Sequence, residues 1–171
     1  MRAQVDDGGS DLLTLYDEAL PQVYGYLLSR CGQASLAEDL TAETFLAAVD
    51  AVRRAAPPPL SAPWLIGVAR HKLVDHWRRQ ARERRDLQVI GGRADDQVDP
   101  WDNYLDAARV RDTLDRLGAQ HRAALTLRYL DGLPVPEVAA LLQRTLHATE
   151  ALLVRARSAF RRAYPDEEAD A

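Results

Sequence analysis

Between residues 11 and 30, apolar side chains recur at Leu12, Leu15, Ala19, Val23 and Leu27, with Tyr16 and Leu20 beside them. Steps of three and four residues predict a helix with one buried stripe. Pro21 falls inside it as a candidate kink or division, and Gly32 is its stop. Ser35-Leu-Ala-Glu38 has the spacing of a capping box, in which the Ser and Glu side chains satisfy first-turn amides. It predicts a second helix through about Val52. Ala56-Pro-Pro-Pro-Leu cannot continue a helix and reads as a stiff loop. Ser61 and Pro63 then open a third helix. Its apolar stripe is Trp64, Leu65, Val68, Ala69, Leu73 and Trp77, and its other faces are basic.

Residues 87–101, LQVIGGRADDQVDPW, keep no period and contain Gly-Gly, Asp-Asp and Asp-Pro, which reads as a flexible linker. A fourth helix follows over about 102–117, with Ala107, Val110, Leu114 and Leu117 inward and Gly118 as stop. A fifth runs from about Gln120 to Leu130 and closes at Asp131-Gly132. A short helix begins at Pro136, packing Val138, Ala139, Leu141 and Leu142. A turn at Gln143-Arg144 leads to Thr145, a candidate N-cap for a last helix ending near Ala163. Short helix, tight turn, longer arginine-bearing helix is the pattern of a helix-turn-helix. The expected fold is all-α: a tail over 1–10, a helical domain over 11–86, the linker, a helix-turn-helix domain over 102–164 and an acidic tail over 165–171.

Composition narrows this further. Hydrophobic residues make up 47% of the 171, too many for a disordered chain. Plentiful Ala, Leu, Arg and Glu with few β-branched residues favour helix over sheet. The single Cys31 excludes an internal disulfide, has no cysteine partner for a zinc site and points to a reducing compartment. MRAQVDDGGSD lacks the apolar core of a signal peptide, and no run approaches the roughly 20 apolar residues of a membrane span. A cytoplasmic protein is expected.

Charge is placed unevenly. Residues 70–85 carry seven Lys or Arg against Asp75 and Glu83, a net of +5, while the whole chain is −4, so the remainder carries −9. A second basic cluster, Arg155, Arg157, Arg161 and Arg162, lies near the C-terminus. Two basic helix faces on an acidic body point to two contacts with a polyanion, or to two solvated faces.

Four blocks in order, AEDLTAETFLAA, WLIGVARHKLVDHWRR, RLGAQHRAALTLRYLDGLPVPEVAALL and RARSAFRRAY, resemble the extracytoplasmic-function sigma factors of bacterial RNA polymerase over roughly residues 11–164. The resemblance implies a region 2-like N-terminal domain and a region 4-like C-terminal domain. It implies core RNA polymerase as partner, through the clamp of the largest subunit and the flap of the second-largest. Promoter DNA and an anti-sigma factor are the other partners it brings. The first block would dock on the clamp through Glu38, Asp39, Leu40, Glu43, Thr44 and Phe45, with Asp50 on the same exposed stretch. Carboxylates there would give charge-assisted pairing with basic side chains. Phe45 has a core alternative.

In the second block, Arg70, Lys72, Arg78 and Arg79 would neutralise phosphates of the minus-ten element, and His71, Asp75 and His76 would bond exposed base edges. The loop over 57–63 stands where the family holds an unstacked base, whose extrusion needs a pocket to offset its cost. Trp64 falls on the apolar stripe, and Trp77 is a core or a stacking residue. In the last block, minus-thirty-five contacts would fall to Arg144, His147, Thr149 and Glu150, with Arg155 and Arg157 on phosphate. Here the chain departs from the common pattern. Gln143 stands where relatives often have a turn glycine. ATEALL replaces a Thr-Val-Lys-Ser-Arg-Leu run, so Glu150 and Leu152 stand for a Lys and an Arg.

No nucleophile, general base or cofactor constellation accompanies these blocks, so no enzyme activity and no cofactor are expected. Two rivals remain. A stand-alone helix-turn-helix regulator would leave the AEDLTAETF block unexplained. A helical metal enzyme on His71, Asp75 and His76 would lack further evident ligands.

Overall fold

The structure, a computed structural model, describes residues 6–54, 56, 58–87 and 107–164. Seven α-helices and one π-helical turn account for nearly all of them, and among the described residues there is no strand. The chain divides into two compact units, Met1–Leu73 and Val74–Ala171, with the division inside the third helix. The linker expected over 87–101 begins at that helix's last residue and otherwise lies outside the described residues, as does the acidic tail.

In the first unit, α1 spans Asp6–Cys31, so the segment expected as a tail over 1–10 is helical from residue 6. Ala19, Val23, Leu27 and Cys31 are fully buried at four-residue steps. Pro21 is exposed and lies within the helix without dividing it. A proline on the solvent side loses its amide bond where water replaces the acceptor's partner. Gly32, at φ 68°, stops α1, its amide bonding to Leu28 O at 2.9 Å.

Helix α2, Ala34–Val52, packs against α1 and buries Ala37, Leu40, Thr41, Thr44, Phe45, Ala48 and Ala51. The expected capping box does not form. Gln33 is the N-cap, in extended conformation without a side-chain bond, which puts Ser35 two positions past the cap. The inward threonines bond within their own helix, Thr41 Oγ1 to Ala37 O at 2.6 Å and Thr44 Oγ1 to Leu40 O at 2.7 Å. Their hydroxyls are thus paired away from water. Helix α3, Ala62–Leu87, starts as expected, with Ser61 Oγ accepting from the Trp64 amide at 3.3 Å.

The second unit contains the C-terminal part of α3, then α4 (Ala107–Arg116), α5 (Ala119–Leu125), the π turn Thr126–Leu130, α6 (Val135–Leu142) and α7 (Leu146–Ala163). Its core joins Leu114, Leu117, Leu125, Ala156 and Phe160. Burying each Leu or Phe contributes about 1.5–3 kcal/mol. Arg122 closes the corner between α4 and α5, with Nε donating to Leu114 O at 2.9 Å and Nη2 to Asp115 O. Leu114 O also takes the Leu117 amide at 3.1 Å in the closing turn, so the guanidinium adds a second donor at the C-terminal end of α4.

The helix expected over 120–130 is regular only to Leu125. Beyond it the Asp131 amide bonds to Thr126 O at 2.9 Å, the wider five-residue step. The turn between α6 and α7 is tight. Gln143 adopts the left-handed conformation, φ 52° and ψ 49°, and the Arg144 amide reaches back to Ala139 O at 3.0 Å. A side chain at such a position costs about 1–2 kcal/mol relative to glycine. Thr145 caps α7 as expected, its Oγ1 accepting from the Ala148 amide at 3.2 Å.

Candidate nucleic-acid interface

Helical geometry sorts the acidic block of α2 into two faces. Glu38 and Asp39 are exposed and Glu43 is half-buried. Leu40 and Thr44 lie on the inner stripe with at most 1% exposure, and Phe45 keeps 7%. Three of the six residues expected to dock on a partner therefore serve the core. Phe45 packs edge-on against Tyr16 of α1, ring centroids 4.7 Å apart. The outer face instead presents Ala42 and Leu46, the latter 64% exposed. Beside it runs an apolar groove of about 440 Å³ between α1 and α2, walled by Tyr16, Leu20, Tyr24 and Phe45 and edged by Glu38. The face is acidic around an apolar centre, suited to a basic amphipathic surface. Leu46 was missed because the sequence pattern marked it only as one apolar residue in FLAA.

The basic block of α3 begins on the first unit. Arg70 and Lys72 are half-buried and His71 is exposed. Lys72 Nζ lies 3.7 Å from Glu43 Oε2, so a residue expected to meet DNA pairs with one expected to meet protein. Both side chains stay partly in water, and such a pair is worth about 0–1 kcal/mol. His71 Nδ1 is 2.9 Å from Gly67 O. In the second unit, Asp75 pairs with Arg78 one turn on, Oδ1 to Nη1 at 3.1 Å. Two of the three candidate metal donors, His71 and Asp75, are therefore engaged within the helix. Arg79 is exposed and His76 half-buried. Trp64 is half-buried and Trp77 only 1% exposed, so Trp77 resolves as a buried residue and not as an exposed stacking platform.

The recognition helix α7 buries Thr149, Leu152, Leu153, Ala156 and Phe160. Thr149 is fully buried and its Oγ1 bonds Thr145 O at 2.9 Å, so it holds the start of the helix and presents nothing to a base. His147, Glu150 and Arg155 share the outer surface with Ala151 and Leu146. Arg144 is half-buried, with Nη2 donating to Gln120 Oε1 at 2.7 Å. Arg157 Nη1 donates to the Tyr129 hydroxyl at 3.1 Å, and Arg128 stands over the same ring at 5.9 Å. Neutral acceptors of this kind orient a guanidinium without cancelling its charge, leaving it available to an anion.

His121 of α5 was not among the expected residues. Burial holds its imidazole below the ordinary value of 6.5, and the charges of Arg155 and then Arg162 push the same way. Burial likewise lowers Arg144, followed by Arg85 and Arg155. The surface around α7 is thus crowded with positive charge, and at its edge Asp115 meets Arg122 at 3.7 Å. A crowded cationic face over a short helix, a tight turn and a longer helix has the form of a DNA-reading surface.

The family profiles for Sigma-70 region 2 and for Sigma-70, region 4 match residues 15–83 and 107–160. The chain is 34% identical to the ECF RNA polymerase sigma factor BldN of Streptomyces coelicolor over 90% of its length, and spans 60% of that relative. It is 30% identical to the RNA polymerase sigma factor CarQ of Myxococcus xanthus, covering 79% of each chain. Among solved structures it is similar to the sigma factor RpoE of Bartonella quintana, crystallised in complex with the anti-sigma factor NepR. The TM-score is 0.54 at 21% identity, over 90% of this chain and 96% of that one, a likeness of fold. Among the described residues no helix is long and apolar enough to cross a membrane.

Proposed function

Because the chain belongs to the sigma factors of the extracytoplasmic-function group, we propose that it joins core RNA polymerase, recognises two promoter elements and opens the DNA for transcription. The observation that carries this is the pairing, on one chain, of an acidic face with an apolar centre and a cationic helix-turn-helix. A DNA-binding regulator needs only the second. Asp39, Glu38 and Leu46 would meet the clamp of the largest subunit, with Glu43 shared between that contact and Lys72. The second unit would sit near the flap of the second-largest subunit. The chain would act in the cytoplasm as a non-enzymatic initiation subunit.

On the DNA side, Arg78 and Arg79 of α3 neutralise minus-ten phosphates, joined by Arg70 and Lys72, with His71 and His76 at base edges. His147 and Glu150 read the minus-thirty-five element. Glu accepts from a cytosine amine and repels phosphate, so it selects as much as it binds. Arg155 and Arg157 anchor the backbone. The net charge of −4 keeps the free chain off bulk DNA, and polymerase supplies the missing affinity by holding both basic surfaces at promoter spacing. The RpoE relative is held by an anti-sigma factor, and a protein of that kind is the proposed regulator here.

Run-off transcription tests the proposal. Core polymerase with this chain should initiate at discrete genomic promoters where core alone does not. A discrete gel shift by the isolated chain at physiological salt, without polymerase-dependent initiation, would establish the stand-alone regulator instead.

A further inference from the structure

A cavity of about 300 Å³ lies within the second compact unit, between the C-terminal part of α3 and the helix-turn-helix. Its wall carries Arg78, Arg82, Arg85 and Arg144, and among the described residues lining it there is no Asp or Glu. Arg144 is tethered to Gln120, also on the wall, at 2.7 Å. Arg78 is tethered to the Gln143 side chain and, outside the cavity, to the exposed Asp75. These tethers hold the forks in place and leave most of the charge uncompensated. The pKa of Arg144 is lowered first by burial and then by the charge of Arg85, which reflects the same crowding.

An independent observation comes from an uncharged group. Trp77 lines the same cavity, is 1% exposed, and its Nε1–H has no acceptor among the described residues. A buried N–H lacking a partner is rare in folded proteins and calls for an acceptor atom. Uncompensated guanidiniums call for a negative one. Phosphate oxygens answer both, because the planar forks match them two bonds at a time.

We infer that this cavity is a binding site for a small oligophosphate anion, a chain of two or three phosphates either free or carried on a nucleotide. Arg82, Arg85 and Arg144 grip its oxygens and the Trp77 indole supplies a neutral donor. Its volume admits a phosphate chain and excludes a duplex. Arg82 and Arg85 lie outside the residues assigned to promoter contact, so the site can be altered without touching those. Arg78 and Arg144 belong to both, so an occupant would compete with promoter phosphates. That competition rests on the sigma-factor proposal, whereas the binding does not.

The test uses the full chain alone, without polymerase or DNA, in calorimetric titration with sodium tripolyphosphate. Sodium sulfate at matched ionic strength is the control. One saturable site per chain is expected, absent with sulfate. Arg82→Ala with Arg85→Ala should weaken it by about tenfold or more, with the helical spectrum unchanged, and Trp77→Phe should weaken it less. Titration with a nucleoside triphosphate separates the two sources: comparable affinity assigns the phosphate chain as the ligand. Equal heats with sulfate, or undiminished binding in the double variant, would overturn the site. So would an oligonucleotide that saturates the cavity arginines while tripolyphosphate does not, making the cavity a seat for backbone phosphate.

Discussion

Helices α2 and α7 are built alike and finished differently. Each turns a stripe of Ala, Leu and Phe inward with a fully buried threonine, Thr44 or Thr149, bonded back to the carbonyl four residues earlier. On the outside they diverge. Around Leu46, α2 shows Glu38, Asp39 and Asp50; α7 shows His147, Glu150 and Arg155. The inner stripe decides that a helix forms and where it packs. The outer residues, which contribute little to stability, decide what it meets. A threonine inside a motif can thus mark the fold and not the contact.

The largest break in this comparison is across the two faces of α2. Leu40→Ala removes a buried side chain and should cost about 2–5 kcal/mol in urea denaturation, while Leu46→Ala stays within about 0.5 kcal/mol yet weakens capture by core polymerase. Equal stability losses would erase the inner and outer assignment. Next, Asp39→Lys with Glu43→Lys should lower affinity for core polymerase by about tenfold or more with helicity intact. An unchanged affinity would remove the clamp contact.

A smaller effect concerns the entry to α7. Gln143→Gly relieves the left-handed position and should raise stability by about 1 kcal/mol, measured as a shift in the urea midpoint at constant m-value. A loss of stability would mean that the bond between Gln143 and Arg78 outweighs the backbone strain. The smallest effect is a pH slope. His121 binds its proton less readily folded than unfolded, so its contribution is present above about 6.5 and is lost as the pH falls below that value. His121→Gln should flatten stability between pH 7 and pH 5 relative to the parent chain, and a parallel profile would dismiss the effect.

Much of this was legible in advance. The stripe of α1 follows directly from its spacing, and Ser61 and Thr145 cap as their positions imply. Two things misled. Ser35 and Glu38 have the spacing of a capping box, but the cap is Gln33, and a motif has no force two positions out of phase. Leu40, Thr44 and Phe45 sit among carboxylates in the chain yet fall on the buried side, which helical periodicity alone could have shown. Other features had no local signal. Tyr129 and Arg157 are 28 residues apart, and nothing in either neighbourhood announces their bond. The cavity arginines Arg85 and Arg144 come from segments that only the fold brings together.

The widened turn at Thr126–Leu130 acts as a phase shifter. An extra residue in a helical turn rotates whatever follows by about 100° relative to an unbroken helix. Thr126 and Leu127 remain buried while Tyr129 and Leu130 emerge into solvent. In an unbroken helix the Tyr129 ring would point elsewhere, and Arg157 would lose the hydroxyl that steadies it. Deleting one residue from this turn should therefore release Arg157, the proposed DNA anchor on a different helix, while leaving the composition of the surface almost unchanged.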